Sequence, residues 1–421
     1  MTSLHVPAAG LPEAADDDGL AAWVQPIVAL TTGTVAGYEA LARFRDRRSS
    51  TGDMFERAWA LGRGPALEAR GLSAALALTG RPRTAYLSVN VSPRAMESEA
   101  VRAALDVDLE GIMVEITEAH YVPNNQLQDI AAWLRERGAR LGIDDVGTGY
   151  AGLERLITLE PDLIKLDRSL VVRLPEDRVS RVMVESLVRF AARSGAAVCA
   201  EGIETRELLG VVAELDISYG QGFLLGRPQP AWAIPTREAV GWAAEVHREA
   251  LNATPRQSLF LDDFVLLERL AERFSEAEEL EDVHHAVAAM TQLVGADDVA
   301  IDLIEPGTTC VQRLSHRTWD LGPASDVADL PLIRWSLDTR RATQVLATDV
   351  HVDVDRLDEL PSSYKGLLVV PVITRGDSLG ALSFYRRQPV PWSLNQIRLA
   401  RIGASQLAAT LDRLLLRESS R

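Results

Sequence analysis

Apolar and polar positions alternate in blocks along the first half of the chain. Short runs rich in Val, Ile and Leu are separated by stretches whose apolar residues recur every three or four positions. The short runs predict strands buried on both faces, and the longer stretches predict amphipathic helices. The predicted strands are Trp23–Leu30, Thr84–Val91, Gly111–Ile116, Ala139–Ile143, Leu163–Leu166, Ala196–Ala200 and Ser218–Leu225.

Two of the predicted helices end at glycines. Asn125–Arg137 is followed by Gly138, and Asp177–Arg193 is closely followed by Gly195. Glycine just past a helical pattern is a typical helix stop. Repeated strand–helix units over about 220 residues indicate an α/β domain whose parallel sheet is either open or closed into a barrel.

The pattern changes near residue 250. Residues 251–258 are mostly polar and contain Pro255, which predicts a linker. Beyond it, the pattern predicts a smaller α/β domain with strands at Asp298–Ile304, Thr343–Leu346, Gly366–Ile373 and Gly380–Tyr385, and helices at Leu259–Phe274, Leu280–Leu293 and from Ser393 onward. The predicted organisation is a disordered lead at 1–19, a first domain at 20–248, a linker at 249–258 and a second domain at 259–418.

Charge and cysteine content narrow the function classes. The chain has 44 basic and 60 acidic residues and a net charge of −16. Such a surface disfavours binding to nucleic acid polymers and to anionic membranes. The two cysteines, Cys199 and Cys310, exclude a disulfide scaffold. The sequence also has no apolar run long enough for a membrane span and no signal-peptide pattern, so we expect a cytoplasmic protein.

Lysine is almost absent. Only Lys165 and Lys365 stand among the 44 basic residues. Where positive charge alone matters, this chain uses arginine, so a retained lysine is a candidate for chemistry that needs a compact ammonium group. Chance is the alternative explanation for either position.

Acidic residues follow the predicted strands. Carboxylates lie at or just beyond the ends of apolar runs at Glu39, Glu115, Glu118, Asp144, Asp145, Asp167, Glu201 and Glu204. In a β/α barrel these ends meet on the face that carries catalytic residues. Carboxylates gathered there need protons or cations, and oxygen ligands favour Mg²⁺, Mn²⁺ or Ca²⁺. Such a site can hold two ions about 3.5–4 Å apart, as in phosphodiester cleavage.

Each acidic residue has an ordinary explanation when it is taken alone. A single glutamate near a strand end is commonly solvated or salt-bridged, and Asp144-Asp145 before Gly147 could be a simple turn. Asn90 and Gln221 add neutral oxygens near two further strand ends, and Lys165 precedes Asp167 by two residues. The joint pattern favours a metal site over separate coincidences.

The same residues resemble the EAL family of cyclic di-GMP phosphodiesterases. Tyr38–Arg43 contains the Glu-Ala-Leu motif that names the family. The other matching segments, in order, are Gln25–Val28, Thr32–Gly33, Ser88–Asn90, Glu115–Glu118, Asp144–Gly149, Ile164–Asp167, Ala200–Glu204 and Gln221–Phe223. Together they span about residues 20–245.

The resemblance implies a TIM-like barrel that hydrolyses cyclic di-GMP to linear pGpG with two Mg²⁺ or Mn²⁺ ions and an activated water. It implies a homodimer and the following site. Glu39, Asn90, Glu115 and Asp144 would bind one ion, and Asp144, Asp145, Glu201 and Gln221 the other. Lys165 would orient the water and Asp167 would support the metal site. Gln25, Leu41 and Arg43 would bind substrate, with Asp167, Glu204 and Gln221 beside them, and Glu118 would stabilise the loop at Gly147–Gly152.

This loop departs from the family pattern. Val146 stands where the family usually has Phe, and Ala151-Gly152 stands where two serines are common. In the family the loop couples the metal site to dimerisation, so the departures bear on activity and regulation. The predicted metal ligands and Lys165 match the family.

The second domain resembles a GAF domain, a small sensory module. Val369–Val372, Leu379–Phe384 and the final helix carry this resemblance. The ligand of the domain is not implied, because the motif of cyclic-nucleotide-binding members is absent. Cys310 is expected to be a buried strand residue. Ligation by the histidines is not expected at His284, His285, His316 or His351.

Two other functions remain open at this point. A catalytically weak receptor would bind cyclic di-GMP without hydrolysing it, and a signalling scaffold would use the GAF domain for assembly alone. Synthesis of the dinucleotide is disfavoured, because the sequence has no Gly-Gly-Asp-Glu-Phe motif.

Overall fold

The computed structural model describes both domains of the chain. The residues described are 19–45, 50–117, 122–146, 152–232, 235, 241–242, 245–246, 261–305, 308–315, 324–347, 360–374 and 377–418. The predicted disordered lead, apart from Gly19, lies outside these residues, and so does the whole predicted linker.

The first domain contains a closed barrel of eight strands, which confirms the predicted TIM-like fold. The strands are β1 (Ala21–Ala29), β2 (Val35–Arg43), β3 (Tyr86–Val91), β4 (Ile112–Ile116), β5 (Arg140–Val146), β6 (Leu163–Leu166), β7 (Ala197–Ala200) and β8 (Tyr219–Gly220). The last strand is much shorter than the predicted run at Ser218–Leu225.

The prediction of a parallel sheet was wrong for the first strand. Strands β2 to β8 pair in parallel, but β1 runs antiparallel to both β2 and β8. Only a short turn, with Gly33 at φ 73°, joins β1 to β2. A turn of this length can connect antiparallel strands, whereas a parallel pair needs a long crossover.

Helices connect the parallel strands and pack on the outside of the barrel. They are α1 (Thr51–Ala60), α2 (Gly64–Leu76), α3 (Glu99–Leu105), α4 (Asn124–Arg135), α5 (Gly152–Leu159), α6 (Arg168–Val171), α7 (Arg178–Ser194) and α8 (Arg206–Glu214). The ends of α7 follow the predicted signals. The Asp177 side chain accepts a hydrogen bond from Val179 N, and Gly195 ends the helix in a left-handed conformation at φ 79°.

The second domain is a six-stranded antiparallel sheet with helices. Its elements are α9 (Leu261–Glu276), α10 (Leu280–Val294), β9 (Asp298–Ile304), β10 (Cys310–Ser315), β11 (Ser325–Asp326), α11 (Pro331–Thr339), β12 (Thr343–Leu346), β13 (Gly366–Thr374), β14 (Asp377–Arg386) and α12 (Leu394–Glu418). The strand order is β11-β10-β9-β14-β13-β12. Sequence reasoning missed β10, β11 and α11. In the predicted turn between β13 and β14, Arg375 and Gly376 lie outside the described residues.

The second domain contacts the barrel at the amino-terminal ends of its parallel strands. The connection between β14 and α12 places Val390 in an apolar cluster with Tyr86, Leu163 and Tyr219. The Tyr219 hydroxyl donates to the Pro389 carbonyl at 3.1 Å. The sheet of the second domain is therefore anchored to the end of the barrel opposite the ends where the acidic residues were predicted.

A carboxylate of the barrel caps the first turn of α12. Asp216 accepts hydrogen bonds from Leu394 N and, at 2.8 Å, from Asn395 N. The amino terminus of a helix offers unpaired N–H groups and a positive partial charge, so it favours such an acceptor. Among the described residues, no helix has both the length and the apolar character needed to cross a bilayer.

Candidate functional site

Lys165 lies at the centre of a cluster of buried carboxylates. Its Nζ is 2.5 Å from Glu201 Oε1, 2.8 Å from Glu115 Oε2, 3.3 Å from Glu39 Oε2 and 3.4 Å from Asp144 Oδ1. Lys165 and Glu115 are both 0% exposed. By contrast, Lys365 is exposed. Four acids surrounding a single ammonium leave an excess of negative charge at the mouth of the barrel.

Neighbouring strands bring these side chains together through their register. Gln25 on β1 is paired with Glu39 on β2, and Asn90 on β3 with Glu115 on β4. The Asn90 amide donates to Glu39 Oε1 at 2.7 Å. Glu39 lies in the middle of β2 and not at its end, because β2 continues to Arg43. The structure therefore brings Glu39, Glu115, Asp144 and Glu201 together around Lys165.

A bulge in β5 turns two consecutive aspartates toward the same place. Side chains of adjacent strand residues normally point to opposite faces. The register of β5 with β6 shifts between Ile143 and Val146, and Asp145 has φ 60°. A left-handed conformation is uncommon outside glycine, and here it brings carboxylate oxygens of Asp144, Asp145 and Glu201 within 4.8 Å of one another.

Gln221 reaches the cluster from the segment after β8. Its Nε2 donates to Glu39 Oε2 at 2.6 Å and to Gln25 Oε1 at 3.0 Å. The following residue must be glycine at this point, because a Cβ on Gly222 would lie 2.2 Å from the Ile203 carbonyl oxygen. This close approach fixes the backbone that presents Gln221.

Burial and the central ammonium divide the acids into two groups. Burial raises the pKa of Glu115 to about 8 and that of Glu201 to about 7, with Asp144 and Glu39 adding to the effect and Lys165 opposing it. Burial opposes ionisation of Glu39 too, but Lys165, Gln221 and Asn90 hold its pKa below the usual range. Burial would lower the pKa of Lys165, yet the four acids raise it well above its usual value. Without a cation, the cluster therefore retains protons near neutral pH.

Two amide oxygens at the cluster have no protein partner. The nitrogens of Asn90 and Gln221 donate to the acceptor Glu39, so their oxygens are turned away from it. Asn90 Oδ1 and Gln221 Oε1 are buried and make no hydrogen bond. Such oxygens are costly unless a donor or cation meets them.

The oxygen atoms form two groups suited to hard cations. Oxygens of Glu39, Glu115 and Asp144 lie within 4.8 Å of one another, and so do those of Asp144, Asp145 and Glu201. Asp144 belongs to both groups. Carboxylates and neutral amide oxygens are the ligands that Mg²⁺, Mn²⁺ and Ca²⁺ prefer, so the residues present fit a site for divalent ions.

Other predicted residues lie around the cluster and not in it. Gln25 is buried and donates to Gly226 O at 2.8 Å. Leu41 and Arg43 line a cavity of about 940 Å³ that also includes Asn90 and Asp145. The Arg43 guanidinium donates to Ala42 O and lies over the Trp23 ring.

Asp167 and Glu204 are engaged elsewhere. The Asp167 carboxylate accepts from Ser169 N at 2.8 Å and caps α6. Glu204 is paired with Arg168 at 3.0 Å. The predicted loop-stabilising residue Glu118 and loop residues 147–151 lie outside the described residues.

Sequence reasoning gave no role to Ser88. Its hydroxyl donates to Glu115 Oε1. Ser88 precedes Asn90 by two positions on β3, so both side chains point to the same face of the strand. The two-residue spacing from Asn90 could therefore have identified Ser88 as a site residue from the sequence.

In the second domain, Cys310 begins β10 but is only partly buried, so it is less enclosed than predicted. His284 and His285 lie side by side on α10, with ring centroids 5.3 Å apart. His316 and His351 lie outside the described residues.

Two family models match this chain. The model of the EAL domain matches residues 8–228, and that of the GAF domain matches residues 278–411. The first match covers more than half of the chain, so the chain belongs to the EAL domain family, and it carries a GAF domain after the barrel.

Curated relatives of the barrel include cyclic di-GMP phosphodiesterases. RocR of Pseudomonas aeruginosa is 30% identical over 54% of this chain and 63% of its own length. NbdA of the same species is 32% identical over 53% of this chain and 31% of its own length. The oxygen sensor protein DosP of Escherichia coli is 30% identical over 56% of this chain and 31% of its own length. The chain thus spans less than two thirds of these relatives.

Solved structures similar to this chain include two complexes with cyclic di-GMP. A complex of PaMucR phosphodiesterase with c-di-GMP is 29% identical, with 50% of this chain and 92% of that chain covered and a TM-score of 0.46. A manganese and cyclic di-GMP complex of Klebsiella pneumoniae BlrP1 is 29% identical, with 52% and 58% covered and a TM-score of 0.45.

Proposed function

We propose that the barrel is a metal-dependent phosphodiesterase that hydrolyses cyclic di-GMP to linear pGpG. The observation that carries the proposal is that two clusters of three acidic side chains share Asp144 and lie around the buried Lys165. Membership of the EAL domain family, whose curated members include cyclic di-GMP phosphodiesterases, supports the choice of substrate.

The oxygen ligands would divide between two Mg²⁺ or Mn²⁺ ions. Glu39, Asn90, Glu115 and Asp144 would hold one ion, and Asp144, Asp145, Glu201 and Gln221 the other. Divalent ions in such a site lower the pKa of water and stabilise charge on phosphoryl oxygens. The raised pKa values of Glu115 and Glu201 support this assignment, because the cluster needs added positive charge before all its acids can ionise.

Lys165 and the surrounding residues prepare the reaction. The Lys165 ammonium orients the attacking water and stabilises charge next to it, and its place among four acids keeps it protonated. Arg43 binds phosphate through its planar guanidinium, with Gln25 and the Leu41 backbone beside it. Asp167, which caps α6, and Glu204, which pairs with Arg168, would support the rim of the site from these positions.

A product assay tests this proposal. Purified protein is incubated with cyclic di-GMP and Mn²⁺ or Mg²⁺, and pGpG is separated from substrate. The Glu39→Ala and Lys165→Ala variants should lose activity by about a thousandfold or more, because the metal and the nucleophile fail together. The control is Glu214→Ala, an exposed glutamate on α8, which should keep full activity.

Two outcomes would overturn the assignment. Tight binding of cyclic di-GMP without turnover by the wild type would favour the receptor function. Equal turnover by Glu39→Ala and the wild type would show that the proposed metal site is not needed for the reaction.

We propose that the GAF domain regulates the barrel through the contact at Asp216 and Tyr219. Support comes from the capped α12 and the Val390 cluster, which join the domains directly. Asp216→Ala should change the turnover number without changing Mn²⁺ affinity. Unchanged turnover would show that this contact is structural only.

We also propose a homodimer. On α7, exposed apolar side chains share one face at Val179, Val182, Met183 and Phe190. A face of this kind is typical of interaction surfaces. Light scattering should give twice the chain mass for the wild type and the chain mass for Val182→Asp. A monomeric wild type would contradict the proposal.

We also propose that the two domains span residues 20–248 and 259–418 and that the protein is cytoplasmic.

A further inference from the structure

The cavity next to the carboxylate cluster has a second polar wall that the proposed reaction does not use. Its volume is about 940 Å³, and it is lined by Arg43, Asn90 and Asp145 as well as by Trp59 and Arg94. A cyclic dinucleotide carries a base next to each phosphodiester. A cavity that admits its phosphate to the cluster must therefore accommodate a base close by.

Trp59 is held firmly in this wall. Its Nε1 donates to Glu68 Oε1 at 2.9 Å. The indole also lies against the backbone at the start of α2, where a Cβ on Gly64 would come within 2.2 Å of the ring. The hydrogen bond and the close packing together fix both the position and the plane of the indole.

Glu68 accepts three hydrogen bonds in this arrangement. Besides Trp59, its carboxylate accepts from Ser92 N at 2.9 Å and from Ser92 Oγ at 2.7 Å. Glu68 is 9% exposed. It therefore anchors α1 and α2 to the segment after β3.

Arg94 is left with its hydrogen-bonding groups uncommitted. Its guanidinium carbon lies over the Trp59 ring, 5.6 Å from the centroid. Within the described part of the chain, this guanidinium makes no hydrogen bond or ion pair. A guanidinium supported by an aromatic ring keeps its in-plane donors free while its orientation is restricted.

We propose that Arg94, positioned by Trp59 and Glu68, binds a guanine base of the substrate and sets specificity for guanine. Guanine presents two adjacent acceptors, O6 and N7, that match the paired donors of arginine, whereas adenine presents an amino donor at the equivalent place. This inference rests on the proposed function for the identity of the dinucleotide. In the proposed function, Arg43 and the cluster bind the phosphate.

Equilibrium binding separates this inference from the question of catalysis. The affinities of cyclic di-GMP and cyclic di-AMP are measured by calorimetry in Ca²⁺ for the wild type, Arg94→Met and Arg83→Met. Methionine keeps an unbranched apolar side chain over Trp59 and removes the donors. Arg83 is an exposed arginine that does not line the cavity, so Arg83→Met is the matched control.

We expect Arg94→Met to weaken cyclic di-GMP binding by about 10- to 100-fold and to leave cyclic di-AMP binding unchanged. Trp59→Phe keeps an aromatic ring but loses the bond to Glu68, and it should weaken cyclic di-GMP binding less. Equal weakening of both dinucleotides would show that Arg94 binds phosphate, and no weakening would show that it binds neither. Both results would overturn the inference.

The rate of Mn²⁺-dependent hydrolysis of bis(p-nitrophenyl) phosphate, which has no purine, provides the separate readout of the metal site. It should be the same in Arg83→Met as in the wild type. The wild type could bind cyclic di-GMP selectively through Arg94 and yet hydrolyse neither cyclic di-GMP nor bis(p-nitrophenyl) phosphate. This result would contradict the proposed function and still support the present inference.

Discussion

Buried acids occur in both domains, but the two domains satisfy them differently. In the GAF domain, Asp302 is 1% exposed and has its own partners, with Arg313 Nε at 2.6 Å and Ser383 Oγ at 2.7 Å. In the barrel, four carboxylates share the single ammonium of Lys165.

This difference separates a structural acid from a functional one. A buried carboxylate with its own donors is stable as it is, and removing it leaves those donors unpaired. A cluster with more acids than cations is destabilised by like charge until protons or metal ions bind. The two kinds of site should therefore respond to mutation in opposite ways.

The largest effect should come from Asp144→Asn. The change keeps the shape of the side chain but removes the negative charge of the one residue that belongs to both clusters of acids. We expect turnover of cyclic di-GMP to fall by about a thousandfold or more, while the free energy of unfolding stays the same or rises because repulsion is relieved. Product analysis and urea denaturation measure the two quantities. A marked loss of stability would place Asp144 with the structural acids.

Stabilisation by divalent ions should also distinguish the acids of the barrel cluster from Asp302. Mn²⁺ at about a hundredfold excess over its Kd should stabilise the wild type by about 2–3 kcal/mol. The gain should disappear in Asp144→Asn and persist in Asp302→Asn. Thermal denaturation with and without Mn²⁺, with EDTA as the reference, gives the comparison. An equal gain in all three proteins would mean that the ion binds elsewhere.

Asp302→Asn should show the reverse of Asp144→Asn. The neutral side chain pairs less well with Arg313, so the GAF domain should lose about 1–3 kcal/mol of stability. Turnover per folded molecule should stay within about twofold of the wild type, because the residue lies outside the barrel. Urea denaturation followed by Trp fluorescence measures the loss, and unchanged stability would contradict the structural role.

The smallest expected effect is the pH dependence of folding stability that Asp216, the acid between the domains, should cause. Burial raises the pKa of Asp216 to about 6, although the N–H groups of Leu394 and Asn395, Ser393 and Arg398 oppose the shift. The folded state therefore holds a proton that the unfolded chain releases near pH 4. The stability of the wild type relative to Asp216→Asn should decline between about pH 4 and pH 6 and level off above pH 7. Since Asp216 is partly exposed, the decline should be about 1–2 kcal/mol. A difference that is constant with pH would contradict this shift.

Local patterns predicted most strands of the barrel because those strands are short, apolar and bounded by turns. They also placed Glu39, Glu115, Asp144 and Glu201 in one site, since parallel strand ends must meet. The pattern could not show that β1 runs antiparallel or that β5 bulges at Asp145. Both features depend on pairing with a neighbouring strand and leave no periodic signal.

The wall at Trp59 was not predictable for a related reason. Glu68 and Ser92 are 24 positions apart and meet only after α2 packs on the barrel. The strand β10 and the helix α11 were missed because their mixed polar and apolar residues match neither template well. Residues whose roles depend on such long-range contacts need the structure.

The central claim is that the acids at the mouth of the barrel are gathered to hold divalent ions. Anomalous diffraction at the manganese edge, from crystals grown with Mn²⁺, tests it most directly. The account predicts two peaks about 3.5–4 Å apart, with Asp144 between them. A map without manganese peaks among these side chains, at an ion concentration that supports turnover, would contradict it.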